Sequence, residues 1–142
     1  MPLPHRKYYQ HWDKSTPSDV IRAYCCPCCD YPTVGEPPSF GICAICSWED
    51  DDCEWGANGD YDLEEARKNF KQYLTKYRAN EECDPRLKQH GYKFTHDYVL
   101  RPDKLEHKKR LMHLLDEYMA EPDLYRRGEI WEKIRQHLST EP

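Results

Sequence analysis

Two Cys-x-x-Cys pairs, Cys26/Cys29 and Cys43/Cys46, constrain this chain more than any other feature. Thirteen residues separate them, giving a C-x2-C-x13-C-x2-C pattern. A C-x-x-C turn sets two thiolates on one side of a metal ion, and two such turns complete the tetrahedral shell that zinc prefers. The chain is thereby directed toward a zinc-ribbon-like fold, in which each pair sits at the tip of a short hairpin. The first pair has two registers, because Cys25/Cys28 has the same spacing. Pro27, directly after the first ligand of the Cys26/Cys29 register, stiffens that turn and favours it. Iron is the alternative metal, since sites of four cysteines also hold it.

All four ligands being sulfur leaves no open coordination position, which marks a structural rather than a catalytic metal. The H-x-E with P-C-x-x-C signature of zinc deaminases is missing, and Gly56-Ala-Asn-Gly59 lacks the Lys-Ser/Thr ending of a phosphate-binding loop. The seven histidines are scattered without metal-ligand or nucleophile spacing. No enzyme activity is expected.

The remaining cysteines of the eight, Cys25, Cys28, Cys53 and Cys83, read as small apolar or partly exposed residues. The start, Met1 to Lys14, has no apolar h-region of a signal peptide, and no apolar run approaches bilayer length. A reducing, cytoplasmic setting without membrane contact is expected, which favours metal over disulfides.

Only 38% of the chain is hydrophobic and 33% is charged, so its core must be thin and reinforced by the metal. A single domain of 142 residues is expected, divided as an N-terminal arm (1–22), a four-cysteine module with a helix (23–80) and a mainly helical tail (81–142). The fold class is α+β: small zinc-ribbon-like β-hairpins, a following helix and a C-terminal helical hairpin. The arm lacks periodicity and reads as irregular, with one short helical turn. Asp62-Leu-Glu-Glu65 has the form of a capping box, and apolar residues from Leu63 to Tyr77 recur at helical spacing over about four turns. Tyr92, Phe94, His96, Tyr98 and Leu100 alternate as in a strand that Arg101-Pro102 ends. Asp103-Lys-Leu-Glu106 repeats the capping form and opens a helix to about Ala120, and Leu124, Trp131, Ile134 and Leu138 stripe a last helix despite Gly128 in its interior.

Charge is distributed unevenly along the chain. Residues 23–66 contain eleven Asp or Glu and no Lys or Arg, whereas residues 67–142 carry seventeen basic and thirteen acidic side chains. A knuckle region without cations repels phosphate backbones, so nucleic-acid binding is disfavoured. A basic protein partner suits it better. Glu49, Asp50, Asp51, Asp52 and Glu54, flanked by Trp48 and Trp55, form the candidate partner-binding segment.

Five blocks in order, Tyr24-Cys-Cys-Pro-Cys-Cys29, Gly41-Ile-Cys-Ala-Ile-Cys46, Trp48-Glu-Asp-Asp51, Gly56-Ala-Asn-Gly59 and Leu63-Glu-Glu-Ala-Arg67-Lys-Asn-Phe70, resemble the bacterial cysteine-rich CPCC family. The resemblance covers about a third of the chain. It implies a zinc-binding fold rather than a reaction and, by association with genes for toxins, an immunity role against a cognate toxin. Two residues depart from the family pattern. Asp30 replaces the usual glycine after the first knuckle, and Ser47 stands where an aromatic is usual after the second. Asp30 is then expected at positive φ, which aspartate tolerates better than most residues.

Overall fold

The computed structural model describes residues 6–13, 19–35, 41–50 and 57–140. Its elements run β1 (Tyr8–Trp12), β2 (Val20–Tyr24), α1 (Leu63–Tyr73), α2 (Pro85–Gln89), α3 (Thr95–Val99), α4 (Pro102–Ala120) and α5 (Leu124–Leu138). The α+β class holds, with one two-stranded antiparallel sheet accompanied by helices.

The N-terminal segment is not an irregular arm. β1 and β2 pair in the register Tyr8↔Tyr24 to Trp12↔Val20. Tyr9, His11, Ile21 and Ala23 share one face of this hairpin by strand alternation, and that face packs on the long helices. The Tyr9 and His11 rings meet Tyr118 edge-on, and His11 stacks on Trp131 at 4.9 Å. Charged and aromatic residues obscure the alternation in the sequence, because both faces carry bulky side chains.

β2 continues into the first knuckle, where Tyr24 exchanges two backbone hydrogen bonds with Val34 at 3.0 and 3.1 Å. A bridge between Ile42 and Glu49 closes the second knuckle. Short hairpins thus carry both cysteine pairs, as the spacing predicts.

Helix α1 begins where the capping pattern places it, with the Asp62 carboxylate accepting from the Glu65 N–H at 2.7 Å. It ends after 11 residues, short of Tyr77. Leu74 turns left-handed at φ 65°, and the next residues bend back onto the second knuckle. The alternation at Tyr92–Leu100 does not make a strand. Phe94 forms one isolated bridge with Glu82, after which the Asp97 carboxylate accepts from the Phe94 N–H at 3.1 Å and the chain coils into α3. α4 starts two residues earlier than the second capping pattern implies, because Pro102, with its φ preset, occupies the first helical turn.

Helices α4 and α5 are antiparallel, with His107 and His137 each donating Nε2–H to the other's backbone carbonyl at 2.9 and 2.8 Å. Leu111, Leu114, Leu115 and Tyr118 of α4 and Ile134 of α5 are fully buried. Each buried aliphatic side chain contributes about 2 kcal/mol of burial free energy. They join Ala23, Val34, Ile45, Trp48 and the knuckle cysteines in one core.

Candidate metal centre

The two knuckles have the same backbone design. The N–H of Cys26 donates to Tyr31 O and that of Asp30 to Cys26 O, both at 2.8 Å; the N–H of Cys43 donates to Trp48 O at 2.9 Å and that of Ser47 to Cys43 O at 3.0 Å. The residue four positions after each first cysteine turns left-handed, Asp30 at φ 67° and Ser47 at φ 72°. The conformation expected of Asp30 is present, and Ser47 shares it. Each turn points its two sulfurs inward.

The pairs converge. The Sγ atoms of Cys26, Cys29, Cys43 and Cys46 all lie within 4.8 Å of one another, with Cys26–Cys46 and Cys29–Cys43 at 3.6 Å. Tetrahedral ligands about 2.3 Å from one ion sit about 3.8 Å apart, so this cage is the right size for zinc or a similar metal. Its contacts are far longer than a disulfide bond of about 2.05 Å. All four residues are buried, Cys46 completely. The four cysteines therefore fit a metal ion and leave no ligand position over.

The surrounding groups hold the sulfurs in place. Ile45 N–H donates to Cys43 Sγ and Trp48 N–H to Cys46 Sγ, each at 3.4 Å, and Thr33 Oγ1 lies 2.9 Å from Cys43 Sγ. Donors aimed at sulfur favour its ionised form. Accordingly, although burial raises the Cys43 thiol, hydrogen bonds from Cys26, Cys29, Cys46 and Thr33 bring it well below the usual thiol range. The same contacts with Cys26, Cys43 and Cys46, together with burial, push Cys29 far up. Four buried thiolates cannot coexist here unless a cation joins them.

Other chain segments buttress the second knuckle. Cys46 O accepts from the Lys76 N–H at 2.8 Å and from Thr75 Oγ1 at 3.4 Å. On the first knuckle, Arg67 Nε donates to Pro27 O at 2.8 Å. The fold thus brings an exposed cation to a knuckle whose own stretch of sequence has none. Thr33, Thr75 and Lys76 carry no sequence signal for this role.

Cys25, Cys28 and Cys83 are buried outside the cage, and burial pushes the Cys25 thiol up to about 11. Cys53 lies outside the described residues. So do Asp51, Asp52, Glu54 and Trp55 of the candidate partner-binding segment. Trp48 packs inward at 3% exposure. Glu49 is half-buried, and both its backbone groups bond the Asn58 side chain at 2.8 Å. Asp50 has no exposed surface and receives Arg6 on both carboxylate oxygens, at 2.7 and 2.8 Å. Through buried Trp48 and Asp50 and the Glu49 backbone the knuckle is tied to the rest of the fold, and Arg6 links it to the N-terminal hairpin.

No helix among the described residues is long and apolar enough to cross a membrane. Residues 24–88 match the family described as cysteine-rich CPCC, a span that includes both knuckles, α1 and most of α2. No curated protein and no solved structure matches the chain.

Proposed function

We propose that this protein is a non-enzymatic, cytoplasmic binding module whose structural zinc holds an acidic surface for a cationic protein partner. Its specific role in this reading is immunity: it binds and blocks a cognate bacterial toxin. The observation carrying the proposal is the closed cage of four buried thiols. A metal there stabilises the surrounding fold and leaves no position for substrate. Acidic side chains of the same stretch of chain, including exposed Asp30 beside the first knuckle, steer a basic protein toward the knuckles and oppose phosphate backbones.

The charge reversal Asp51→Lys, Asp52→Lys, Glu54→Lys is the informative variant, since Asp50 is committed to Arg6 inside the fold. Tagged, zinc-loaded protein is used to capture partners from an extract of the native cell, and the product of the neighbouring gene is tested first by binding kinetics and growth rescue. Wild type should retain a cationic protein at low salt and lose it at high salt, and the triple variant should associate more slowly and protect less. Unchanged kinetics and full protection by a folded triple variant would refute the acidic surface.

A second reading, a nucleic-acid-associated zinc ribbon, draws on Arg67 beside the first knuckle. Salt-dependent binding to a DNA or RNA oligonucleotide that falls with Arg67→Ala would favour it.

A further inference from the structure

A second stretch of the chain carries the opposite charge to the knuckles. Residues 86–110, spanning most of α2, all of α3 and the first half of α4, contain eight Lys or Arg against three Asp or Glu, a net charge of +5 in a chain whose total is −5. Arg86, Lys88 and Arg101 are paired with Asp84, Glu82 and Asp103. Among the described residues, Lys93, Lys104, Lys109 and Arg110 form no ion pair. Aromatic rings stand among these cations. Tyr92 and Tyr98 meet edge-on, with ring centres 5.3 Å apart. The Arg101 guanidinium lies 4.4 Å and the Lys104 ammonium 4.8 Å from the centre of the Tyr98 ring. Short-range bonds hold the group together: the Tyr92 N–H donates to Leu87 O at 3.1 Å, and Arg101 Nη1 donates to Tyr98 O at 3.3 Å. All four side chains are partly exposed.

We propose that Tyr92, Tyr98, Arg101 and Lys104 form a binding surface for single-stranded nucleic acid. A single strand supplies phosphates for cations and flat bases for aromatic rings in contact with water. The Arg101 guanidinium, already lying over Tyr98, presents a further flat surface on which a base stacks. A duplex is the poorer occupant, because its bases are already stacked on one another. An acidic protein segment answers the cations alone and makes no use of the tyrosine faces. Of the acids in this stretch, Asp103 shares Arg101 with an incoming phosphate, Asp97 is committed to the Phe94 N–H, and Glu106 is exposed. Stacking and phosphate contacts do not depend on base identity, so the surface tolerates any sequence. It needs neither the metal nor the acidic segment, and it stands or falls apart from the immunity reading.

The test uses the full chain as purified, with a fluorescent single-stranded DNA oligonucleotide and its duplex, and reads anisotropy over a series of salt concentrations. Wild type should bind the single strand more tightly than the duplex, and its affinity should fall as salt rises. Lys104→Gln should flatten the slope of log affinity against log salt by about 0.7, the share of one phosphate on a single strand. Tyr92→Leu should weaken binding about tenfold at an unchanged slope, and Tyr92→Phe should retain it. If Tyr92→Leu does not fold, Tyr92→Met carries the same expectation. The proposal is overturned by a single strand that does not bind at low salt, by equal affinity for the duplex, or by a folded Tyr92→Leu protein that binds as wild type does. Binding lost with Arg67→Ala but kept with Lys104→Gln would overturn it in favour of the first knuckle. Polyglutamate bound as tightly as the oligonucleotide, with Tyr92→Leu making no difference, would overturn it in favour of an acidic protein partner.

Discussion

Replacing Gly128 by alanine sets two opposing effects against each other, and the structure decides the sign. Gly128 is buried in the first half of α5, where an alanine gains about 1 kcal/mol from helix propensity. A methyl group there would lie 2.2 Å from the carbonyl oxygen of Trp12 and 3.3 Å from its carbonyl carbon. That carbonyl belongs to the end of β1, so no side-chain rotation relieves the clash. The strand and helix must separate, loosening the stacking of His11 on Trp131 and the bond from Arg127 Nη1 to Gln10 O at 3.2 Å. Overpacking of this kind costs about 1 to 3 kcal/mol, and a backbone contact this short belongs at the upper end. The net effect is a loss of about 2 kcal/mol. For a chain of this size that lowers the melting temperature by roughly 6 °C. Urea titrations of wild type, Gly128→Ala and the exposed control Lys133→Ala measure it directly. A Gly128→Ala protein as stable as wild type, or more so, would show that propensity dominates and that β1 does not press on α5.

The cage makes a sharp demand on the cysteines: Cys26→Ser and Cys43→Ser should lose most bound zinc, whereas Cys25→Ser and Cys28→Ser should keep about one ion per chain, as read by metal analysis. Chelation of the wild type should lower its melting temperature sharply, because metal-binding free energy is also folding free energy; an unchanged melt after verified zinc removal would contradict a structural metal. His11 predicts a pH response. Burial holds its folded pKa below the ordinary 6.5, so above that pH it is neutral in both states, and as pH falls through 6.5 the unfolded chain takes up the proton first. Its contribution to stability is therefore complete above pH 6.5 and is lost below it, toward the folded pKa. His11→Asn, which keeps a polar group for the Tyr118 hydroxyl that lies 2.7 Å from Nδ1, should flatten the pH dependence of stability in that window, and an identical profile would refute the assignment.

The elements legible in the sequence were those governed by neighbours along the chain. C-x-x-C spacing fixes sulfur positions within one turn, and Pro27 selects between two registers a single residue apart, which the converged cage reproduces with Cys26 and Cys29. Asp62 announces α1 because its carboxylate reaches only to the Glu65 N–H. Asp30 signals a left-handed residue because the closing bond of the knuckle, Asp30 N–H to Cys26 O, is equally local. Tertiary packing decided the rest. Tyr8–Trp12 becomes a strand only because Val20–Tyr24 pairs with it and the two helices cover one face. Tyr92–Leu100 shows strand-like alternation, yet among the described residues no neighbouring strand extends its single bridge, and Asp97 turns the chain into a helix. Nothing beside Asp50 distinguishes it from Asp51 and Asp52, and its burial depends on Arg6, 44 positions away. Lys76 and Lys108 look like ordinary surface lysines until the fold buries them and gives each ammonium an oxygen acceptor, Asn58 Oδ1 and Leu74 O. Charge in a sequence is only an inventory. Whether a charged group is solvated, paired or buried depends on which distant groups the fold brings within reach of it.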